Sequence, residues 1–267
     1  MPWFIGLSTR DAFPRLVTPN KIPQDRGGLF GPFATRDLAQ NYQEEVLRLF
    51  QIRRCTEKLQ PSPEHPGCMY GEMNQCLRPC QCRVTPEEYA TEVARVSEFL
   101  ATNGKTPIAM LLASRERASE SMDFELAAQL HRRIEHIQHA ASARDELVRE
   151  IGRFNGVALT RSAFVKQFRL WPMLAGEWQD PVTVDISIEG FAAKSLDAHL
   201  REILSNTIKT QPEGHTASED LALFLRWYRS SWRDGEWFPF TTVFDLNYRK
   251  LVRAISKLVT ENAPCSS

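Results

Sequence analysis

The chain has no long apolar run. Nothing in its 267 residues approaches the length needed to cross a bilayer, and the opening Met1-Pro2-Trp3-Phe4-Ile5-Gly6-Leu7 lacks the basic start and apolar stretch of a secretory signal. The expectation is a cytoplasmic protein with no membrane partner. Neither charge sign is in excess: Lys plus Arg number 33, as do Asp plus Glu. A net charge of +0 excludes indiscriminate attraction to nucleic acid over the whole surface, so partners must be read from local features. No P-loop, dinucleotide fingerprint, Ser-His-Asp or Cys-His constellation is present, and His199 and His215 stand isolated. There is no internal repeat and no low-complexity segment. Cysteine is scarce: six residues in a chain this long do not make a disulfide-stapled scaffold.

Four of those six nevertheless crowd into one stretch: Cys55, Cys68, Cys76 and Cys80, spaced C-x12-C-x7-C-x3-C. In a reducing compartment such thiols stay available as thiolate ligands. Pro61, Pro63, Pro66, Gly67, Gly71 and Pro79 preclude long regular elements between Cys55 and Cys82, so the stretch buries no core of its own. A shared inorganic centre would supply the missing cross-links. The spacing leaves open tetrahedral zinc and a cubane [4Fe–4S] centre, with four independently packed thiols as the competing reading. Cys82 is badly offset for a further ligand, and His65, between prolines, reads as solvated.

Around this stretch the pattern predicts an α+β chain. Short β-like patches occur near Phe4–Leu7 and Arg15–Thr18, and Leu38, Tyr42, Val46, Leu47 and Phe50 recur at helical spacing before Cys55. Thr85-Pro86-Glu87-Glu88 opens a helix with a capping box, ended by Asn103-Gly104. Thr106-Pro107 starts an antiparallel helical hairpin with its turn at Ser121-Met122-Asp123, and its second helix is expected to run to about Arg149. Strands follow at Val157–Thr160, Phe164–Leu170 and Val182–Ile188, the last two separated by Trp171-Pro172 and Gly176 to Pro181. Helices are expected from Ser195 to about Ile208, Ser218 to about Ser231, and Asn247 to Val259.

The residues in view resemble the UvrC family of excinucleases, which act in bacterial nucleotide excision repair. Gly28-Leu29-Phe30-Gly31-Pro32-Phe33 is similar to that family's G-x-[YF]-F-G-P-[YF] segment, Leu49 to Cys55 to its lead into the first cysteine, and Cys68-Met69-Tyr70 through Cys76-Leu77-Arg78-Pro79-Cys80 to its C-x-Y…C-x-x-P-C core. The resemblance implies that Cys55, Cys68, Cys76 and Cys80 hold a [4Fe–4S] cluster, with zinc as the alternative. Met122 to Ala128 resembles the UVR hairpin motif, which implies docking to a UvrB-like helicase through Asp123, Phe124, Glu125, Ala127, Ala128 and Ile134. His131-Arg132 departs from the family's usual Arg-Asp, placing a guanidinium where a carboxylate is normal and altering partner choice.

The resemblance further implies five segments: residues 1–50, the remnant of a linker after a missing nuclease domain plus a lead-in helix; 51–103, the cysteine-cluster segment and a helix; 104–149, the UVR-like hairpin; 150–210, a small antiparallel sheet plus helix; and 211–267, a helical tail. Neither the GIY-YIG nor the RNase H-like nuclease of the family is expected. Asp185-Ile186-Ser187-Ile188-Glu189-Gly190 imitates the opening of the second but lacks its histidine. In the tail, Arg226, Arg229 and Arg233 interleave with Trp227, Tyr228, Trp232 and Trp237, chemistry suited to phosphates and unpaired bases, although Leu223 and Trp227 on one helix face favour a packed core with peripheral arginines. The expected role is a non-nuclease adaptor in excision repair, binding a UvrB-like helicase and DNA. Its rivals are a piece of a split excinuclease working with a separate nuclease polypeptide, and a zinc-dependent structural module.

Overall fold

The computed structural model describes all residues except 9–10, 24–26, 165, 188–194, 208–216 and 261–267. The chain divides into two compact units: Pro2–Lys21 with Gly27–Glu150, and Ile151–Ser267 with Met1 and Ile22–Arg26. Both combine helices with antiparallel sheet, giving the α+β class expected.

The first unit opens with strands β1 (Trp3–Leu7), β2 (Leu16–Val17) and β3 (Leu29–Phe33), joined by the late strand β4 (Arg149–Glu150) in the order β2-β1-β3-β4. Residues 1–50 are therefore not a linker. Phe4, Ile5, Phe30 and Phe33 are buried, and helix α1 (Arg36–Leu49), capped by Thr35, lays Tyr42 and Val46 into the same core. Gly31 makes this close packing possible, because a Cβ there would stand 2.4 Å from the Phe4 ring. Helix α2 (Met69–Glu72) is a single turn. Helix α3 (Pro86–Thr102) begins at the expected capping box, in which Thr85 and Glu88 satisfy each other's amides, and ends at Asn103 in the left-handed region.

Helices α4 (Lys105–Glu120) and α5 (Phe124–Ser142) form the expected hairpin. The first starts at Lys105 with Gly104 ahead of it, so Thr106 is not its cap. The second stops at Ser142 rather than near Arg149. The Arg144 guanidinium folds over the turn beyond, bonding the Val148 carbonyl and, at 2.8 Å, the Leu100 carbonyl. This sends the chain into β4 against Phe30 and Gly31.

The second unit is a sheet of β5 (Asn155–Arg161), β6 (Gln167–Leu174), β7 (Glu177–Trp178), β8 (Val182–Asp185) and β9 (Gly235–Phe240). Helices α6 (Leu196–Thr207) and α8 (Tyr248–Thr260) cover one face, where Val157, Leu159, Phe168 and Phe238 meet Leu200, Leu251 and Ile255. Helix α7 (Ala217–Tyr228) contributes Phe224 to the other, where it packs with Phe154, Trp178 and Trp237. Strand β6 runs straight through Trp171-Pro172, where sequence placed a break. The Pro172 carbonyl accepts the Gln179 amide, so its missing N–H points to the same edge, between the pairing to β8 at Leu170 and that to β7 at Met173. The proline falls where no ladder bond is needed. The segment 211–267 is not wholly helical either: β9 pairs along β5 from Asn155–Phe240 to Thr160–Gly235. Part of the mimic at Asp185 lies outside the described residues, as does His215; Asp185 itself spends its carboxylate locally on Ser187 and Gln167.

Candidate functional site

The cysteine segment contains only α2 and a short 3-10 turn at Pro79–Gln81, as its proline and glycine content requires. Its shape comes from side chains anchored elsewhere. Where α1 ends, the chain becomes extended at Phe50, and Gln51 is fixed three ways: its amide donates to Glu92 at 2.8 Å, its side chain to the Asn74 carbonyl at 2.7 Å, and its carbonyl accepts the Leu77 amide at 2.9 Å. The Arg53 amide then donates to the Tyr89 hydroxyl at 2.9 Å, and that hydroxyl donates to the Pro14 carbonyl at 2.7 Å.

Arg53 is 2% exposed and is the largest fully buried side chain. Its guanidinium bonds the Phe13 carbonyl at 2.7 Å, the Glu57 carbonyl at 3.0 Å, Asp11 at 3.1 Å and the Cys55 sulfur at 3.7 Å. Asp11 is held below its ordinary carboxyl pKa, first by the Ser8 hydroxyl and then by Arg53 and Arg15. Cys55 thus enters the site backed by a fixed positive charge.

The remaining thiols hang on a tight frame. Ser62 donates to the Cys80 carbonyl at 2.9 Å, and Gln81 bonds the His65 carbonyl at 3.1 Å. His65 Nδ1 accepts the Gly67 amide at 3.0 Å, so this half-buried ring is tied into the frame rather than simply solvated. Cys68 sits at the head of α2. Arg78, in the left-handed region at φ 57, donates its side chain to the Gly71 carbonyl at 2.8 Å and its amide to the Cys76 sulfur at 3.4 Å. Gly71 has to lack a side chain, since a Cβ would stand 3.1 Å from Arg78 Cγ.

The four predicted thiols feel one another. Burial first, then charge on Cys68, Cys55 and Cys80, acting against the Arg78 amide, together push Cys76 up to about 11; Cys80 is raised by burial, then by Cys68 and Cys55. The buried Tyr89 hydroxyl is raised too, first by burial, with Cys76 and Cys55 contributing. Cys76 and Cys80 are buried, Cys55 is half-buried and Cys68 exposed. Among the described residues no group of three or more His, Cys, Asp or Glu side chains stands ready to hold a metal ion. Cys76 and Cys80 each feel charge on Cys68 and Cys55. As a donor set the thiols offer four soft ligands with two N–H···S contacts, one from the Arg53 guanidinium to Cys55 and one from the Arg78 amide to Cys76. Cys82 is exposed and absent from this mutual interaction.

At the hairpin turn, Met122 sits at φ 58 and Asp123 caps α5 by accepting the Leu126 amide at 3.0 Å. Phe124 is 67% exposed, with Met122, Leu126, Glu125 and Ala128 also exposed and Ala127 half-buried. Ile134 departs from expectation: at 3% exposure it faces the interior and is closed to a partner. His131, at the family departure, lies 3.5 Å from Glu135 on the exposed side of α5.

In the second unit, Arg226 on α7 and Arg229 just after it are exposed. Arg233 stacks 4.8 Å from the Tyr228 ring centre and 5.9 Å from that of Trp227, and donates to the Tyr228 carbonyl at 3.2 Å. Leu223, expected in the core, is exposed; Leu221, Phe224 and Leu225 are among the buried residues of α7. Sequence reasoning missed Arg53, Tyr89 and Asp11 as parts of the cysteine site. The signal available was Arg53 itself, two residues before the first cysteine and directly after Ile52.

Comparison with known proteins agrees with this layout. The family described as UvrC/Cho excinuclease, middle domain, matches residues 3–99, and the UvrB/uvrC motif matches residues 111–140. Over 158 residues the chain is 30% identical to UvrABC system protein C of Lawsonia intracellularis, covering 58% of this chain and 25% of that protein. The protein of the same name from Oleidesulfovibrio alaskensis is 29% identical over 156 residues, covering 58% and 22% respectively. That from Nitratidesulfovibrio vulgaris is 34% identical over 128 residues, covering 48% and 18%. The chain spans a quarter or less of the length of these curated relatives. No solved structure matches it, and no helix among the described residues is long and apolar enough to cross a membrane. The cysteine segment lies inside the first match and the helical hairpin inside the second, so residues 3–99 are similar to the UvrC/Cho middle domain and residues 111–140 to the UvrB/uvrC motif.

Proposed function

We propose that this chain is an excision-repair adaptor that docks a UvrB-type protein on its helical hairpin and holds a [4Fe–4S] cluster on Cys55, Cys68, Cys76 and Cys80. The docking part is carried by one observation: the tip of the hairpin leaves Phe124 in solvent beside Met122 and Leu126, within the matched UvrB/uvrC motif. A large aromatic anchor ringed by small and acidic residues is the composition of an interface centre. Asp123 and Glu125 add negative charge at the α5 N-terminus, so the favoured partner surface is apolar with a basic rim.

The cluster part rests on the mutual electrostatics of the four thiols. Four thiolates suit either zinc or a [4Fe–4S] centre, and the similarity of residues 3–99 to the UvrC/Cho middle domain supports the cluster as the reading put forward. A bound cluster would supply one-electron chemistry and cross-link the segment. Arg53 offsets negative charge at Cys55, the Arg78 amide donates to the Cys76 sulfur, and the Cys80 carbonyl and Gln81 side chain hold the frame in register. A nuclease centre is assigned to a separate polypeptide, with a piece of a split excinuclease as the alternative. Nucleic acid is the second partner, through the basic residues of the C-terminal unit.

Anaerobic purification of the full chain, the Cys76→Ser variant and the Phe124→Ala variant separates these parts. Iron and sulfide in near-equal amounts are expected in the full chain and in Phe124→Ala, and are lost in Cys76→Ser. The UvrB-type protein should be retained by the full chain and released at least about tenfold more readily by Phe124→Ala. Zinc in place of iron overturns the cluster assignment, and unchanged retention by Phe124→Ala overturns the docking assignment.

A further inference from the structure

The family matches end at residue 140, leaving the second unit without a role. Its last helix is chemically one-sided. From Tyr248 to Thr260, α8 carries Arg249, Lys250, Arg253 and Lys257 and no acidic residue, while Tyr248, Leu251, Ile255 and Leu258 are buried in the core. Arg249, Arg253 and Lys257 recur every four residues, so they form one row with about 6 Å between neighbours along the axis. All three are exposed, and among the described residues neither Arg249 nor Arg253 has an acidic partner. A row of like charges four apart opposes its own helix. Here it is kept in a chain whose net charge is +0.

The row leads into a hollow of about 260 Å³, lined by Arg161 from β5, Arg233, Asp234 and Glu236 near the start of β9, and Lys257 from α8. Glu236 pairs with Lys250 at 2.7 Å, while Asp234 accepts the Trp227 indole at 3.4 Å and keeps its charge, so the hollow's three cations outnumber its one carboxylate not paired with Lys250. One residue before Arg233 stands Trp232, its indole 91% exposed. Arg233 itself already lies over the Tyr228 ring. Cations in a row, a basic hollow and an unpartnered indole beside it meet the two needs of an unpaired strand, backbone charge and base stacking.

We infer that the face formed by α8 and the Arg161–Arg233–Lys257 hollow binds single-stranded nucleic acid, with Arg249, Arg253 and Lys257 along the phosphates and Trp232 stacking on a base. This deepens the nucleic-acid part of the function proposed above and shifts its centre from Arg226 and Arg229, at the end of α7, to α8. It does not depend on the cluster or on the hairpin, so Cys76→Ser and Phe124→Ala leave it intact.

The test is fluorescence anisotropy of a labelled oligothymidylate titrated with the full chain across a range of salt, with polyglutamate as competitor. The expected result is binding that weakens with salt. In Arg249→Ala/Arg253→Ala the log–log salt slope should shrink by about 1.4, the loss of two single-strand phosphate contacts. Trp232→Ala should weaken binding roughly fivefold or more with the slope unchanged. Arg249→Lys/Arg253→Lys should keep the parent slope, which separates loss of charge from loss of folding. No binding, an unchanged slope in the alanine pair, an unchanged affinity in Trp232→Ala, or polyglutamate competing as well as unlabelled oligothymidylate would each overturn the inference, the last pointing to an acidic protein partner.

Discussion

Arg53 is the residue on which the cysteine segment leans. A guanidinium is planar, permanently charged and carries five donors, so it serves two carbonyls, a carboxylate and a sulfur at once, as Arg53 does with Phe13, Glu57, Asp11 and Cys55. Substituting methionine keeps the bulk and removes every donor. Two carbonyls then lose their partners inside the fold, and Arg53→Met is expected to lower stability by roughly 2 kcal/mol or more, read from the urea midpoint. Arg53→Lys should fall between, because one ammonium cannot reach all four acceptors. A change of less than about 0.5 kcal/mol in Arg53→Met would show that the network contributes nothing. The grouping of the cysteines in one stretch could be read from spacing alone. Arg53 could not, because its partners Asp11 and Phe13 lie some forty residues upstream, and one sequence carries no record of such a pairing.

Among the elements, legibility followed local chemistry. Helix α3 was readable to within a residue because Thr85, Pro86 and Glu88 fix its start and Asn103 its end. Strand β9 was missed because Trp237 and Pro239 sit in a short run crowded with arginines and aromatics, where a two-residue alternation is hard to see. The strand is an edge, which is why it tolerates Pro239, and its partner β5 offers Gly156 opposite. A Cβ on Gly156 would lie 2.2 Å from the Trp237 ring. Gly156→Ala should therefore force β5 and β9 apart or expel the indole, costing about 1–3 kcal/mol and changing near-ultraviolet circular dichroism. Retention of the parent spectrum and midpoint would contradict the close approach. The end of α5 was likewise beyond local pattern: the Arg144 bonds that stop it reach back to the Leu100 carbonyl at the end of α3.

On the scale of the whole molecule, the core residues fall into separate clusters, one in each unit. Two cores permit two unfolding events. If the cysteine segment holds a cluster, a ligand bound only to the folded first unit raises that unit's transition and leaves the other in place. Calorimetry of the full chain before and after iron removal under anaerobic conditions should show one transition falling and one fixed. A single transition that moves as a whole would contradict independent cores. The sequence pointed to the α+β class because periodicity and capping are local properties. A boundary near residue 150 was legible from the change to a strand pattern, but the union of the segments before it into one unit was not, since it depends on β4 returning to β3 across more than a hundred residues.

The wall behind the first thiol is built from residues near the start of the chain, and the covering strand β4 arrives only after the hairpin. A fragment cut to begin at α1 and finish after Cys82 would contain every sulfur of interest yet lose Asp11, Phe13, Pro14 and Tyr89 together. The smallest portable version of this site is accordingly the whole first unit, strands and hairpin included, and any transplant of the motif into another protein has to carry that scaffold with it.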